Sequence, residues 1–207
     1  MKTWVRMFAH IELEKVKMMN KGVKLPVVNF QTRVRDESIG GDNPYRWQTV
    51  NSQFLFGSAD IKKRVVVFSL PGAFTPTCST YQLPDFERLM DEGAFAEYGI
   101  DDVYCISVND SFVMNKWAQD QALDNVKVVP DGSGEFTRKM GMLVDKDNLG
   151  FGYRSWRYAM IVKNGVIEAF LPEEGFEDNC GEDPYGESSP QNVLEVLKSL
   201  EVSGAPV

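Results

Sequence analysis

RVVVFSLPGAFTPTCSTYQLPDFERLMDEG, residues 64–93, is the stretch on which the fold turns. Residues 64–70 (RVVVFSL) form a continuous apolar run, the pattern of a strand buried on both faces. The chain then leaves the strand through a Pro-Gly loop and enters a helix. Thr is a good N-cap and Pro is favoured at the first helical position. Thr75 therefore reads as N-cap, Pro76 as N1 and Cys78 as N3. Pro84 falls inside the same helix and is expected to kink it.

Outward from this unit, strands and helices alternate. Residues 103–108 (VYCISV) read as a second doubly buried strand, and 111–123 as an amphipathic helix with Phe112, Val113, Trp117 and Ala118 on its apolar stripe. A short strand at 126–129 and a short helix at 134–142 follow. Residues 158–162 and 165–171 form a hairpin closed by Asn164-Gly165, and 190–200 form the last helix. Upstream, 27–34 is a strand, with 47–56 as its hairpin partner. This order predicts an α/β three-layer sandwich with a mixed central sheet, helices on both faces and an N-terminal hairpin. Residues 1–21 read as an arm, either a short helix or an extension, and 22–207 as one domain.

Composition narrows the function. The chain has 207 residues and a formal net charge of −8, and Lys62, Lys63 and Arg64 make the single tight basic run. That balance argues against nucleic acid as a partner. No apolar stretch reaches the length of a membrane span, and residues 1–20 lack the apolar core of a signal peptide. Three widely spaced cysteines, Cys78, Cys105 and Cys180, make no disulfide scaffold, so a cytoplasmic location is expected. With His10 the sole histidine, no metal site and no organic cofactor are expected.

Cys78 has two readings on these grounds. Cysteine is among the most buried residue types, and a structural role fits. A thiol in the first helical turn also meets free backbone N–H groups and the positive end of the helix dipole, both of which favour the reactive thiolate. Ionisation alone has a ceiling. An unperturbed thiol is already a few per cent thiolate at neutral pH, so complete ionisation gains only about 30-fold in nucleophile. Further rate enhancement needs donors that fix the substrate and stabilise the departing oxygen.

Residues 71–79 (PGAFTPTCS) resemble the active-site loop of the peroxiredoxins, with its P-x-x-x-T-x-x-C pattern at Pro71, Thr75 and Cys78. Residues 105–118 (CISVNDSFVMNKWA) and 154–168 (RSWRYAMIVKNGVIE) extend the resemblance, which is strongest to the type II or type 5 members. The resemblance implies a thioredoxin-like fold and reduction of hydrogen peroxide and alkyl hydroperoxides through a sulfenic acid at Cys78. It implies that Thr75 holds the peroxide, that Arg157 orients thiolate and peroxide from within a strand, and that Pro71 shields the sulfur. Arg154, three residues away, is expected on the opposite face of that strand. A homodimer meeting near the site is also implied, with Phe74, Phe112 and Phe151 as candidate contacts.

The second half-reaction stays open at this level. Cys180, in the polar segment 175–189, reads as an exposed, mobile candidate for the resolving thiol, though the carboxylates around it disfavour its thiolate. Cys105 lies in a buried strand and fits a core residue or a second resolving candidate. Direct reduction by glutathione, glutaredoxin or thioredoxin is the alternative. A thiol–disulfide oxidoreductase lacks the C-x-x-C pair it would need, since residue 75 is Thr and residue 81 is Tyr. A peroxide sensor or holdase would use the same reactive thiol.

Overall fold

Val65, Val66, Val67 and Phe68 are all fully buried, yet they serve two different cores. Val65 and Val67 pack on one face of a sheet, Val66 and Phe68 on the other. Side chains alternate across a strand, so a strand apolar at every position must lie at the centre of a sheet covered on both sides. The computed structural model describes residues 20–42 and 44–203. Its strands and helices run in the order β1 (Asn29–Arg35), β2 (Tyr45–Asn51), α1 (Ser52–Phe56), β3 (Arg64–Ser69), α2 (Leu83–Asp91), β4 (Asp102–Ser107), α3 (Ser111–Asp120), β5 (Lys127–Pro130), α4 (Glu135–Lys139), β6 (Leu143–Asp145), β7 (Tyr153–Ser155), β8 (Tyr158–Lys163), β9 (Val166–Pro172) and α5 (Pro190–Val202). The arm expected over 1–21 lies almost wholly outside the described residues.

The main sheet has the order β5-β4-β3-β8-β9. Strands β3, β4 and β5 are parallel, and β8 runs antiparallel to both β3 and β9, so the sheet is mixed. One face is covered by Leu83, Phe86 and Leu89 of α2, Met114 and Trp117 of α3, and Val193 and Leu197 of α5. The other is covered by Phe30 of β1, Phe56 of α1, Phe136 of α4 and Val144 of β6, with Trp156 beside them. Each fully buried aliphatic or aromatic side chain contributes about 1.5–3 kcal/mol relative to exposure. This is the expected α/β sandwich with helices on both faces. Among the described residues no helix is long and apolar enough to cross a membrane.

The β8–β9 hairpin turns at Asn164 and Gly165, both with positive φ (54° and 75°), as a type I′ turn requires. Glycine is needed there for a second reason: a Cβ at Gly165 would stand 2.6 Å from the Gly57 carbonyl oxygen. The other hairpin, β1–β2, ends earlier than its apolar residues suggest. Asn51 caps α1 by accepting from Gln53 N at 2.9 Å, and residues 52–56 turn into a helix. The spacing of Phe54, Leu55 and Phe56 fits one helical turn as well as a strand, and the cap decides it. The small β6–β7 sheet has no counterpart in the sequence reading, because three-residue strands carry too little periodicity to register.

Candidate active site

The segment after β3 is built to present a thiol. Helical backbone starts at Pro76, and the first helical bond runs from Ser79 N to Thr75 O at 3.0 Å. The N–H groups of Thr77 and Cys78 therefore precede the helical ladder. The loop reaches this helix through Phe74, whose φ of 64° lies in the region that favours glycine. Two groups hold the loop in place. Asn109 Oδ1 accepts from Ala73 N at 3.0 Å and from Ser107 Oγ at 2.7 Å, which ties the loop to the end of β4. Thr75 donates its hydroxyl to Gly72 O at 2.8 Å. With its proton so placed, Thr75 Oγ1 can serve a bound substrate as an acceptor.

The kink expected from Pro84 takes the form of a π-helical turn over Cys78–Gln82, in which Leu83 N reaches back five residues to Cys78 O. Pro84 has no N–H to donate, and its ring would clash with the carbonyl four residues back. Widening the turn before it relieves both constraints. The same widening carries Gln82 inward, where it is fully buried.

Arg157 is 2% exposed and meets Cys78 directly, Nη1 lying 3.4 Å from Sγ. Its Nη1 also donates to Gln82 Oε1, and its Nη2 pairs with the Asp183 carboxylate. The Tyr185 ring lies beneath the guanidinium at 5.7 Å. Burial by itself would lower the Arg157 pKa. The interactions with the Cys78 sulfur and the Asp183 carboxylate outweigh it, and the net shift is upward, so the guanidinium stays charged. Arg157 does not sit within a strand as expected. It immediately precedes β8, whose first residue is Tyr158. Arg154 belongs to a separate strand, β7, so the argument from opposite faces of one strand does not apply to the pair. Its Nη1 donates to Val108 O at 2.5 Å.

A chain of buried hydrogen bonds continues behind Arg157. Gln82 Nε2 donates to Ser188 Oγ at 3.3 Å, and Ser188 Oγ donates to Glu173 Oε1 at 2.6 Å. The Glu173 carboxylate also accepts from Gly186 N (2.9 Å), Glu187 N (3.2 Å) and Ser188 N (2.8 Å). Glu173 N in turn donates to Arg157 O at 3.1 Å. The sequence reading gives no site role to Gln82, Ser188, Glu173, Asp183 or Tyr185, counting Asp183 only among the carboxylates around Cys180. They lie in segments whose local pattern is that of a helix or a polar loop, and no motif there signals a role.

The other two cysteines stand apart in kind. Cys105 is fully buried in the same core as Cys78. Burial pushes its thiol well above the ordinary range, the negative charge at Cys78 adds to this, and Arg157 opposes it. Cys180 is 8% exposed, not the exposed residue expected from its polar surroundings, and it packs with the core on the other face of the sheet. The buried Lys146 helps to hold it there, donating from Nζ to Cys180 O at 3.1 Å. Pro71 is half-buried at the start of the loop. Phe74, Phe112 and Phe151 are exposed at 52%, 53% and 37%.

Comparison with known proteins gives concordant matches. Residues 55–176 match the Redoxin family model. A peroxiredoxin of Rhizobium etli is 64% identical over 176 residues, spanning 85% of this chain and 95% of that protein. The solved 1-Cys peroxiredoxin (antioxidant protein) of Plasmodium falciparum is 35% identical with a TM-score of 0.77, covering 86% of this chain and 99% of that one. A reduced peroxiredoxin of Vibrio vulnificus, solved in complex with hydrogen peroxide, is 30% identical with a TM-score of 0.71, covering 87% of this chain and 97% of that one.

Proposed function

The chain belongs to the peroxiredoxins, thiol peroxidases of the thioredoxin-like superfamily, and from that premise and the geometry of the site we propose a one-cysteine cycle carried by Cys78. The observation that carries it is the 3.4 Å contact between Cys78 Sγ and Nη1 of a buried, charged Arg157. The Cys78 thiolate attacks the terminal oxygen of a hydroperoxide. An S–O bond forms as the O–O bond breaks, sulfur is oxidised by two electrons to the sulfenic acid, and the departing oxygen leaves as water or an alcohol once protonated. Arg157 faces the thiolate with N–H groups that can also stabilise the negative charge growing on the departing oxygen. Thr75 Oγ1 accepts the hydrogen bond of the peroxide O–H, which selects the orientation that presents the terminal oxygen to sulfur. Pro71 limits water at the sulfur.

For the return half of the cycle, an external thiol from glutathione, glutaredoxin or thioredoxin reduces the sulfenic acid, giving a mixed disulfide and water before a second thiol releases Cys78. The placement of Cys180 favours this over a Cys78–Cys180 disulfide, because Cys180 packs with the core opposite to that of Cys78, and burial, which raises the Cys105 thiol pKa, disfavours Cys105 as the resolving nucleophile. Cys78 is itself fully buried, so the first helical turn must open for the reductant to reach it. The exposed Phe74, Phe112 and Phe151 support a homodimer meeting beside the loop.

Stopped-flow mixing of the reduced protein with hydrogen peroxide and with an alkyl hydroperoxide tests the reading. The expected result is rapid sulfenic acid formation at Cys78 and steady turnover with glutathione or thioredoxin, both unchanged in Cys180→Ser. Oxidation at Cys78 without turnover would make the protein a sensor. Turnover that collapses in Cys180→Ser would restore the internal disulfide.

A further inference from the structure

We propose that Gln82, backed by Ser188 and Glu173, is the positioning residue that sets the guanidinium of Arg157 against the reacting sulfur; the inference rests on the peroxidase reading of Cys78 above. The groups form one continuous buried chain. Glu173 accepts from Ser188 Oγ, Ser188 Oγ accepts from Gln82 Nε2, and Gln82 Oε1 accepts from Arg157 Nη1, the same nitrogen that faces Cys78 Sγ. Ser188 and Gln82 are fully buried, Arg157 is 2% exposed and Glu173 5%. Each hydroxyl or amide group has its direction set by the next. Ser188 gives its single proton to Glu173, so it can only accept from Gln82. Gln82 must then turn its NH2 to Ser188 and its carbonyl to Arg157. A carboxylate held by three backbone N–H groups anchors the far end, and the orientation of the arginine follows from that anchor.

The partner on the other side of Arg157 cannot do this as well. Asp183 pairs with Nη2, the nitrogen not facing sulfur, and its side chain is 48% exposed. A solvated carboxylate can move with its loop, whereas Gln82 is fixed by helix backbone on one side and by Ser188 on the other. The location of Gln82 at the end of the π turn explains why the wide turn is useful here. The position four residues after Cys78 is brought inside beside the arginine.

Displacement of reacting groups by about 1 Å costs roughly 100-fold in rate. Gln82→Met keeps volume and burial but offers Arg157 no oxygen acceptor. It is expected to slow sulfenic acid formation about 30-fold, and Ser188→Ala about 5-fold, by the same misplacement argument. The double variant is expected to be no slower than Gln82→Met alone, because both changes cut one chain. Gln82→Glu keeps an oxygen for Arg157 but offers Ser188 Oγ no donor, so it is expected to return the rate to about that of Ser188→Ala. A role in packing alone would give additive losses and no recovery by Glu. Gln82→Met oxidised as fast as wild type, or additive effects in the double variant, would overturn the proposal. Were Gln82→Met unable to fold, Ser188→Ala oxidised at the wild-type rate would overturn it as well. These outcomes are distinct from failure of the peroxidase reading, which would appear as a wild-type protein whose Cys78 does not react with peroxide.

Discussion

Replacing Arg157 with Met separates two things an arginine can do for a thiol. The guanidinium promotes ionisation, and it supplies N–H groups to the oxygens of the transition state. Ionisation is bounded, since full conversion of an ordinary thiol to thiolate at neutral pH gains about 30-fold. A donor aimed at developing oxygen charge contributes about 100- to 1000-fold. The Nη1 to Sγ distance of 3.4 Å places Arg157 where both act. The expected loss for Arg157→Met at neutral pH is therefore about 1000-fold or more, combining both effects. The fold should survive. Removing one member of a buried ion pair is costly when the charge left behind is buried; here the Asp183 carboxylate left behind is half-exposed to water, which limits that cost. The assay is the second-order rate of oxidation by hydrogen peroxide, followed by stopped flow across a pH series. At high pH, where an ordinary thiol is fully ionised, only the donor contribution is left, and the deficit should be about 100-fold or more. A variant that catches up with wild type at high pH would show that Arg157 acts through ionisation alone, and the geometric argument would be refuted.

Thr75→Val keeps the shape of the side chain but removes the oxygen offered to the peroxide. Loss of one hydrogen bond in a charged site predicts oxidation slower by about 10- to 100-fold, with Thr75→Ser close to wild type. Equal rates for Val and Ser would exclude the hydroxyl from the reaction. Glu87 ties α2 to the segment leading into β5 by accepting from the backbone N–H groups of Asp124, Asn125 and Val126 and from the Asn125 side chain. Burial alone would raise its pKa, but these donors prevail and the net shift is downward. A carboxylate with a depressed folded-state value stabilises the fold fully above its ordinary range, and that contribution disappears as pH falls through the folded value. Glu87→Gln should cost about 1–2 kcal/mol in denaturant melts at neutral pH, and the difference should shrink as pH falls below the ordinary carboxylate range of about 4 and vanish once the folded carboxylate is protonated. A difference that persists in acid would mean that the side chain stabilises by shape and not by charge.

Much of this protein is written in local pattern. The doubly buried β3, the Thr75-Pro76 helix start, the Asn164-Gly165 turn and the Pro84 irregularity each depend on residues within one turn or one strand of each other, and propensity and periodicity act at that range. The motif around Cys78 is local in the same way. Where local signals compete, as at residues 52–56, a single side-chain cap from Asn51 to Gln53 N selects helix over strand. The family resemblance named Arg157 for the sulfur, but only the tertiary structure decided the contact and what else surrounds it. Arg157 and Cys78 are 79 positions apart, Gln82 and Ser188 are 106 apart, and Asp183 is 26 from Arg157. A hydrogen bond between such residues leaves no trace in spacing, because the chain between them is free to vary as long as the sheet brings its ends together. Cys180 shows the same limit from the other side. Its neighbours in sequence are carboxylates, glycines and an asparagine, but its neighbours in space are a hydrophobic core and a buried lysine, and burial is a property of the whole fold.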